Sequence, residues 1–152
     1  MKTPGIEITA ARLEDGPAIA ALLREAGLPH EDIGPHLGHF LVVRVGSGAV
    51  VGAIGAEVHA PDALLRSLVV APGQRGAGLG GELLRRMEAE AAAWGVKRWW
   101  LLTTAAEAFF DARGFVVSVR GAAPVAIRGT RQFAGGCSTR AVCLTRERRN
   151  GS

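Results

Sequence analysis

The residues Gln74-Arg75-Gly76-Ala77-Gly78-Leu79-Gly80-Gly81 hold the densest chemical signal in the chain. They stand between an apolar strand, Leu68-Val69-Val70, and a run with helical periodicity. The first amides of a helix lack intrahelical partners and carry partial positive charge, so such a junction suits a phosphate. Glycines let the backbone come close to the anion and take positive φ. Two familiar phosphate loops fit poorly. A Walker A loop ends in Gly-Lys-Ser/Thr, which is missing here. Gly76-x-Gly78-x-x-Gly81 does match the dinucleotide fingerprint, but that motif wants an acid about 20 residues on, at the end of the next strand. That strand ends Leu101-Leu102-Thr103-Thr104, and the first acid after it is Glu107.

Other reactive side chains are sparse. Cys137 and Cys143 could share one side of a strand, as two buried thiols, a ligand pair for trivalent arsenic or a redox switch. His30, His36 and His39 lack a strong metal spacing, so no metal is expected. Arg66, flanked by leucines on a strand, needs a partner if buried. It either grips a substrate carboxylate bidentately, with Arg128 as a second anion contact, or forms a core salt bridge with Glu57 or Asp62.

The elements that must position these groups follow from periodicity. Ile6 and Ile8 alternate as a first strand. Asp15 and Pro17 open a helix through Leu22 and Leu23 that stops before Gly27 and Pro29. Residues 31–38 read as a weak second helix. Phe40 to Val45, the turn Gly46-Ser47-Gly48, and Ala49 to Val58 form a hairpin. Leu64 to Val70 is a strand. Leu79, Leu83, Met87, Ala91 and Trp94 share one helix face, with Glu82 and Arg86 paired on the other. Trp99 to Thr104 is a strand, Ala105 to Arg113 a short helix, and Phe115 to Arg120 a strand. A helix near Pro124 to Phe133 and a strand near Thr139 to Thr145 complete a mixed α/β sheet.

Composition bounds the function. With 152 residues, 48% hydrophobic and 21% charged, the chain suits one globular domain and excludes a disordered one. We expect residues 1–146 to form that domain and residues 147–152 a frayed basic tail. No run reaches a membrane span, no secretory stretch opens the sequence, and two cysteines make no disulfide framework, so a reducing cytoplasm is expected. The net charge of +4 is uneven. Residues 112–152 carry eight arginines against Glu147 alone, without the aromatic or helical reading pattern of a nucleic-acid binder. A small anion is the better partner for this positive half, if it is more than a solvated surface.

Arg75-x-x-Gly78-x-Gly80, after Leu68-Val69-Val70-Ala71-Pro72, strongly resembles the pyrophosphate loop of the GCN5-related N-acetyltransferase (GNAT) superfamily. The resemblance continues through Ala106 and Phe109-Phe110-Asp111-Ala112-Arg113-Gly114-Phe115. Ala123 to Arg128, Phe133, Cys137 and Ala141 to Leu144, together with Leu64 to Leu68 and Gly27-Leu28-Pro29, resemble the acetyltransferases encoded beside arsenic-resistance genes. Ser138 departs from that subgroup, which has proline there.

The resemblance implies a mostly antiparallel twisted sheet flanked by helices on both faces, with acetyl-CoA as cosubstrate. Amides of Arg75, Gly76, Ala77, Gly78, Leu79 and Gly80 would hold the pyrophosphate. Leu68, Val69 and Val70 would pair with the pantetheine arm, and the amide of Val69 or Val70 would polarise the thioester carbonyl. Thr103 and Phe110 also fall on cofactor-binding positions. Glu57, the only acid in the apolar Val50–Val58 strand, is the candidate base for the acceptor amine, or else an edge glutamate facing water. Phe110 stands where a tyrosine commonly protonates the leaving thiolate, and Thr103 where asparagine is common. Direct transfer with little acid assistance follows; an acetyl-cysteine on Cys137 or Cys143 is the rival.

The implied acceptor is a small, anionic, amino-acid-like amine, with arsinothricin- or glutamate-like compounds as the finer expectation. A non-catalytic acyl-CoA sensor and a protein or peptide N-acetyltransferase are the alternatives. A homodimer is a further expectation, with neither nucleic acid nor membrane as partner.

Overall fold

The computed structural model describes residues 5–136 and 140–150. Seven strands form one sheet in the order β1-β2-β3-β4-β5-β7-β6. They are β1 Ile6–Ala10, β2 Phe40–Val45, β3 Val50–His59, β4 Asp62–Val70, β5 Arg98–Thr103, β6 Val116–Val117 and β7 Val142–Glu147. All neighbouring pairs are antiparallel except β4 and β5. The helices are α1 Gly16–Glu25, α2 Leu79–Ala91, α3 Glu107–Asp111 and α4 Val125–Arg128. This is the mixed, mostly antiparallel sheet that the sequence implied.

The period-2 alternation of the strands splits the core between two faces. On one, Leu79, Leu83, Met87 and Ala91 of α2 pack on Leu41, Val43, Ile54, Leu65, Trp99 and Leu101. On the other, Ile19 and Leu23 of α1 pack with Ile33, Leu37, Phe40 and Val42. Leu64, Trp100, Ile127 and Cys143 form a smaller cluster around α4. Gly55 is fixed by packing, because a Cβ there would lie 2.3 Å from the Phe40 ring.

Several expectations are corrected. Residues 34–39 form a 3-10 helix, not an α-helix, as Gly34 and Pro35 weaken the α pattern. The strand expected over Phe115 to Arg120 shrinks to Val116–Val117 and gives way to a 3-10 turn at 120–122. The helix near Pro124 to Phe133 is the single turn α4, followed by an irregular segment at 132–136. Glu82 pairs with Arg85, three residues on, instead of Arg86. The basic terminus is tied in where a frayed tail was expected. The Arg148 amide donates to the Lys97 carbonyl at 2.8 Å and its Nε to the Val96 carbonyl at 2.6 Å. The Arg149 amide donates to Glu88 Oε1 at 2.8 Å.

Candidate active site

The site begins with an irregularity in β4. Ala53 pairs with Val69, but Gly55 pairs with Arg66, so β4 carries one extra residue. Ser67 takes it up at φ +63°, a left-handed conformation that few non-glycine residues adopt. The parallel pairing of β4 with β5 covers only Asp62–Leu64 against Arg98–Trp100. Beyond the bulge the two strands part. A cavity of about 260 Å³ fills the gap, lined by Leu65 to Leu68, Leu101 to Ala106, Phe110 and Ala26 to Leu28. A larger one of about 490 Å³ adjoins it and shares Gly27, Leu28, Arg66, Ser67 and Leu102 to Thr104. Its outer walls include Arg24, His30, Glu31, Asp32 and Arg131.

The register decides which β4 amides face the gap. Ala71 donates to the Val51 carbonyl at 2.8 Å. Alternation along an antiparallel ladder therefore aims the Val69 amide at β3, and those of Leu68 and Val70 away from it. Of the two amides considered for the thioester carbonyl, Val70 has the geometry and Val69 does not.

After Val70 the chain makes a 3-10 turn at Pro72–Gln74 and enters the glycine loop. Arg75 folds back, its Nε donating to the Val70 carbonyl at 3.0 Å. Gly76 and Gly78 have φ of +88° and +76°, which explains glycine at both. Gly78 caps α2, its carbonyl accepting from the Glu82 amide at 3.2 Å. Among the described residues, no backbone carbonyl accepts the amides from Gly76 to Gly81. Six such donors around a bend in which four of the six residues are glycine fit a diphosphate well.

Thr103 Oγ1 accepts the Ala106 amide at 2.9 Å and so shapes the cavity wall. Phe110 is buried edge-on to Phe109 and Phe115. It lines the smaller cavity and brings no proton donor.

The expected acceptor contacts are rearranged. The Arg66 side chain is fully buried, and its five N–H donors are all engaged. Nε donates to Ser67 Oγ at 2.9 Å. One terminal nitrogen reaches Asp32 Oδ2 at 2.8 Å and Glu57 Oε2 at 2.7 Å. The other reaches Asp32 Oδ1 at 2.7 Å and the Pro29 carbonyl at 3.5 Å. This fork has no free edge for a substrate carboxylate. The expected partner Asp62 accepts instead from Trp100 Nε1.

Glu57 is buried, held between Arg66 and His36, whose Nε2 lies 3.4 Å from Glu57 Oε1. It lines neither cavity. Of the two carboxylates at the wall of the larger cavity, Glu31 is exposed and Asp32 is mostly shielded; the sequence pattern did not single out Asp32 because 31–38 resembled a poor helix. Hydrogen bonds from Arg66 hold its carboxyl below the usual carboxylate range. Arg128 is on the exposed side of α4 with Nε on the Ala123 carbonyl, so it does not join Arg66.

Burial raises the Cys143 thiol above its ordinary range, the wrong direction for a nucleophile. Cys137 and Ser138 lie outside the described residues. His39 stacks at 4.4 Å on Trp94, and burial lowers its proton affinity. Among the described residues no group of three metal-binding side chains occurs, and no helix is long and apolar enough to cross a membrane.

Comparison with known proteins agrees with this geometry. The family model for the acetyltransferase (GNAT) domain matches residues 36–117. The chain belongs to the GNAT acetyltransferase family. Among solved structures it is similar to N-acetylglutamate synthase from Neisseria gonorrhoeae, complexed with coenzyme A and N-acetyl-glutamate. That match has 25% identity and a TM-score of 0.81 over 97% of this chain. It covers 36% of the synthase chain, so the present sequence spans about a third of that protein. PaiA N-acetyltransferase from Thermoplasma acidophilum, in complex with coenzyme A, shares the fold at 17% identity and TM-score 0.70, covering 97% of this chain and 99% of that one. Ard1 from Thermoplasma volcanium does so at 16% identity and TM-score 0.71, covering 94% and 97%. No curated protein matches the chain.

Proposed function

We propose that this domain transfers an acetyl group from acetyl-CoA to the amino group of a small, amino-acid-like acceptor. The observation that carries the reading is the parting of β4 from β5 near Ser67, where two adjoining cavities open: Leu68 lines the smaller one, and the register turns the Leu68 and Val70 amides away from β3. Acetyl-CoA would supply the thioester. The amides from Gly76 to Gly81 receive its diphosphate, with Arg75 bracing the bend. Leu68 and Val70 offer strand-like pairing to the pantetheine arm. The Val70 amide, turned away from β3, would donate to the carbonyl oxygen as it gains charge, and a fixed donor there lowers the barrier.

Attack by the amine forms the amide bond, breaks the carbon–sulfur bond and releases the coenzyme thiolate. Phe110 can give that thiolate no proton, so water supplies it. The amine attacks in its neutral form, of which an α-amino group with a pKa of about 8 leaves a usable fraction near pH 7, and the proton its nitrogen sheds on forming the amide passes to water. Glu57, expected to be the base, acts instead through Arg66 as a positioning residue, since Arg66 and Asp32 stand between it and the cavity.

The finer expectation of an arsinothricin- or glutamate-like acceptor needs an anion contact that Arg66 and Arg128 do not offer. Calorimetry with coenzyme A and thiol release from acetyl-CoA with an amine panel test the proposal. Gly78→Val puts a β-branched residue at φ +76° and should weaken coenzyme A at least tenfold. No binding by the native protein would sink the reading; binding without turnover on any amine would leave a sensor.

A further inference from the structure

We infer that Asp32 receives the ammonium end of the acceptor and Arg131 its carboxylate, so that the larger cavity selects a zwitterion. The inference rests on the acetyl-transfer reading above and adds the polarity of the acceptor's seat.

The first support is an imbalance of charge. Arg66, Asp32 and Glu57 form one buried hydrogen-bonded group with two carboxylates and one guanidinium. Exposure of the three side chains is 0%, 14% and 5%. A buried group with one uncompensated negative charge attracts a cation. Glu57 also has His36 Nε2 at 3.4 Å and lines neither cavity. Asp32 has Arg66 on one side and the cavity on the other. Each of its oxygens accepts one hydrogen bond from Arg66, the Asp32 backbone amide takes up part of the remaining capacity, and what is left can serve a ligand donor. Arg66 also holds Asp32 in the charged form, which binds an ammonium and draws its proton poorly. Asp32 is thus a binding group, and proton removal is left to solvent.

The second support is an exposed ion pair that also lines the cavity. Arg131, just past α4, reaches Glu31 in the loop before β2, and their charged atoms are 3.5 Å apart. Both line the cavity, and both are exposed, at 60% and 72%. A wet pair of this kind contributes little to stability. An entering carboxylate can replace Glu31 on Arg131 at small cost, and the planar guanidinium receives it through two parallel hydrogen bonds. Arg24, which also lines the cavity, adds positive charge. The deep pole is therefore negative and the outer pole positive. An acceptor with both charges satisfies both poles; a plain amine satisfies one.

The test uses the twenty common L-amino acids, each paired with the amine that lacks its α-carboxylate, and follows thiol release from acetyl-CoA. The native domain should prefer the best amino acid over its decarboxylated partner by about tenfold or more in kcat/KM. Arg131→Gln alters an exposed side chain and leaves the fold intact. It should raise KM for the amino acid about tenfold, leave the plain amine unchanged and so erase the preference. Asp32→Asn should raise KM for both while coenzyme A affinity measured by calorimetry stays the same. The inference is overturned if plain amines are the better substrates, if Arg131→Gln affects both members of a pair equally, or if no amino acid is acetylated. Loss of coenzyme A binding by the native domain would instead strike the acetyl-transfer reading itself.

Discussion

Two of the buried ionic groups on this sheet differ in a way that separates scaffold from site. Near the end of β7, Glu88 of α2 accepts from Trp99 Nε1, from the Arg146 guanidinium and from the Arg149 amide. Arg146 also rests over the Phe115 ring and donates to the Arg113 carbonyl. One acid meets one guanidinium, neutral donors fill the rest, and neither cavity at the β4 bulge touches the group. At the bulge of β4, by contrast, one guanidinium serves two acids, and one of these borders a cavity. A closed, balanced pair ties chain segments together. An open, unbalanced group leaves an electrostatic vacancy suited to a ligand. Burial alone does not tell them apart; counting charges and finding the open side does.

Removing the central cation should show the largest effect. Arg66→Met strips both carboxylates of their shared partner within a buried space. Breaking one buried pair costs about 3–5 kcal/mol, and here two break at once. The expected result is a domain largely unfolded at 37 °C, seen as a lost or strongly lowered thermal transition. A variant with near-native Tm would mean that water reaches the group freely and that its imbalance is no constraint.

Glu88→Gln should cost less, about 2–3 kcal/mol, because the amide can still accept from the Trp99 indole and the Arg149 backbone. Arg146 keeps the Arg113 and Glu147 carbonyls and the Phe115 ring. The matching measurement is kcat/KM, which should stay within about threefold of native for every acceptor. Loss of acceptor preference in this variant would erase the contrast between the two groups.

Much of the contrast was open to sequence reading, and its gaps have physical causes. The glycine loop was legible because positive φ and free amides demand a particular residue type at each place. Helix α2 was legible from Leu79, Leu83, Met87 and Ala91, and the β2–β3 hairpin from its Gly46-Ser47-Gly48 turn. The partnership of Arg66 with Glu57 was half visible, since Glu57 stands opposite Leu64 and Arg66 shares the Leu64 face. Asp32 was hidden, as a polar residue in an irregular loop leaves no periodic trace. So was the bulge at Ser67, where the φ of +63° falls on a residue that usually avoids it. Reading Arg66 as a free anion grip failed for that reason: the loop that saturates its fork carries no pattern in sequence. Arg128 was misplaced because α4 makes one turn where a longer helix was expected.

The smallest effect concerns acid. Hydrogen bonds from Arg66 lower the proton affinity of Asp32, and those from Arg44 lower that of Asp15. In both cases the folded carboxyl titrates below its unfolded value, so the unfolded chain takes up the proton first. The stability these pairs contribute is complete above the ordinary carboxyl range, near 3.8, and fades as pH falls through the folded values. Tm should therefore be flat between pH 6 and 5 on account of these two groups and decline below about pH 4. Asp32→Asn should flatten that decline in part and leave the Asp15 share, because Arg44 and Asp15 belong to a separate contact between β2 and the 3-10 turn at Leu13–Asp15 that leads into α1. An acid profile untouched by Asp32→Asn would show that Arg66 draws its balance from Glu57 alone, and the open group would then resemble the closed one.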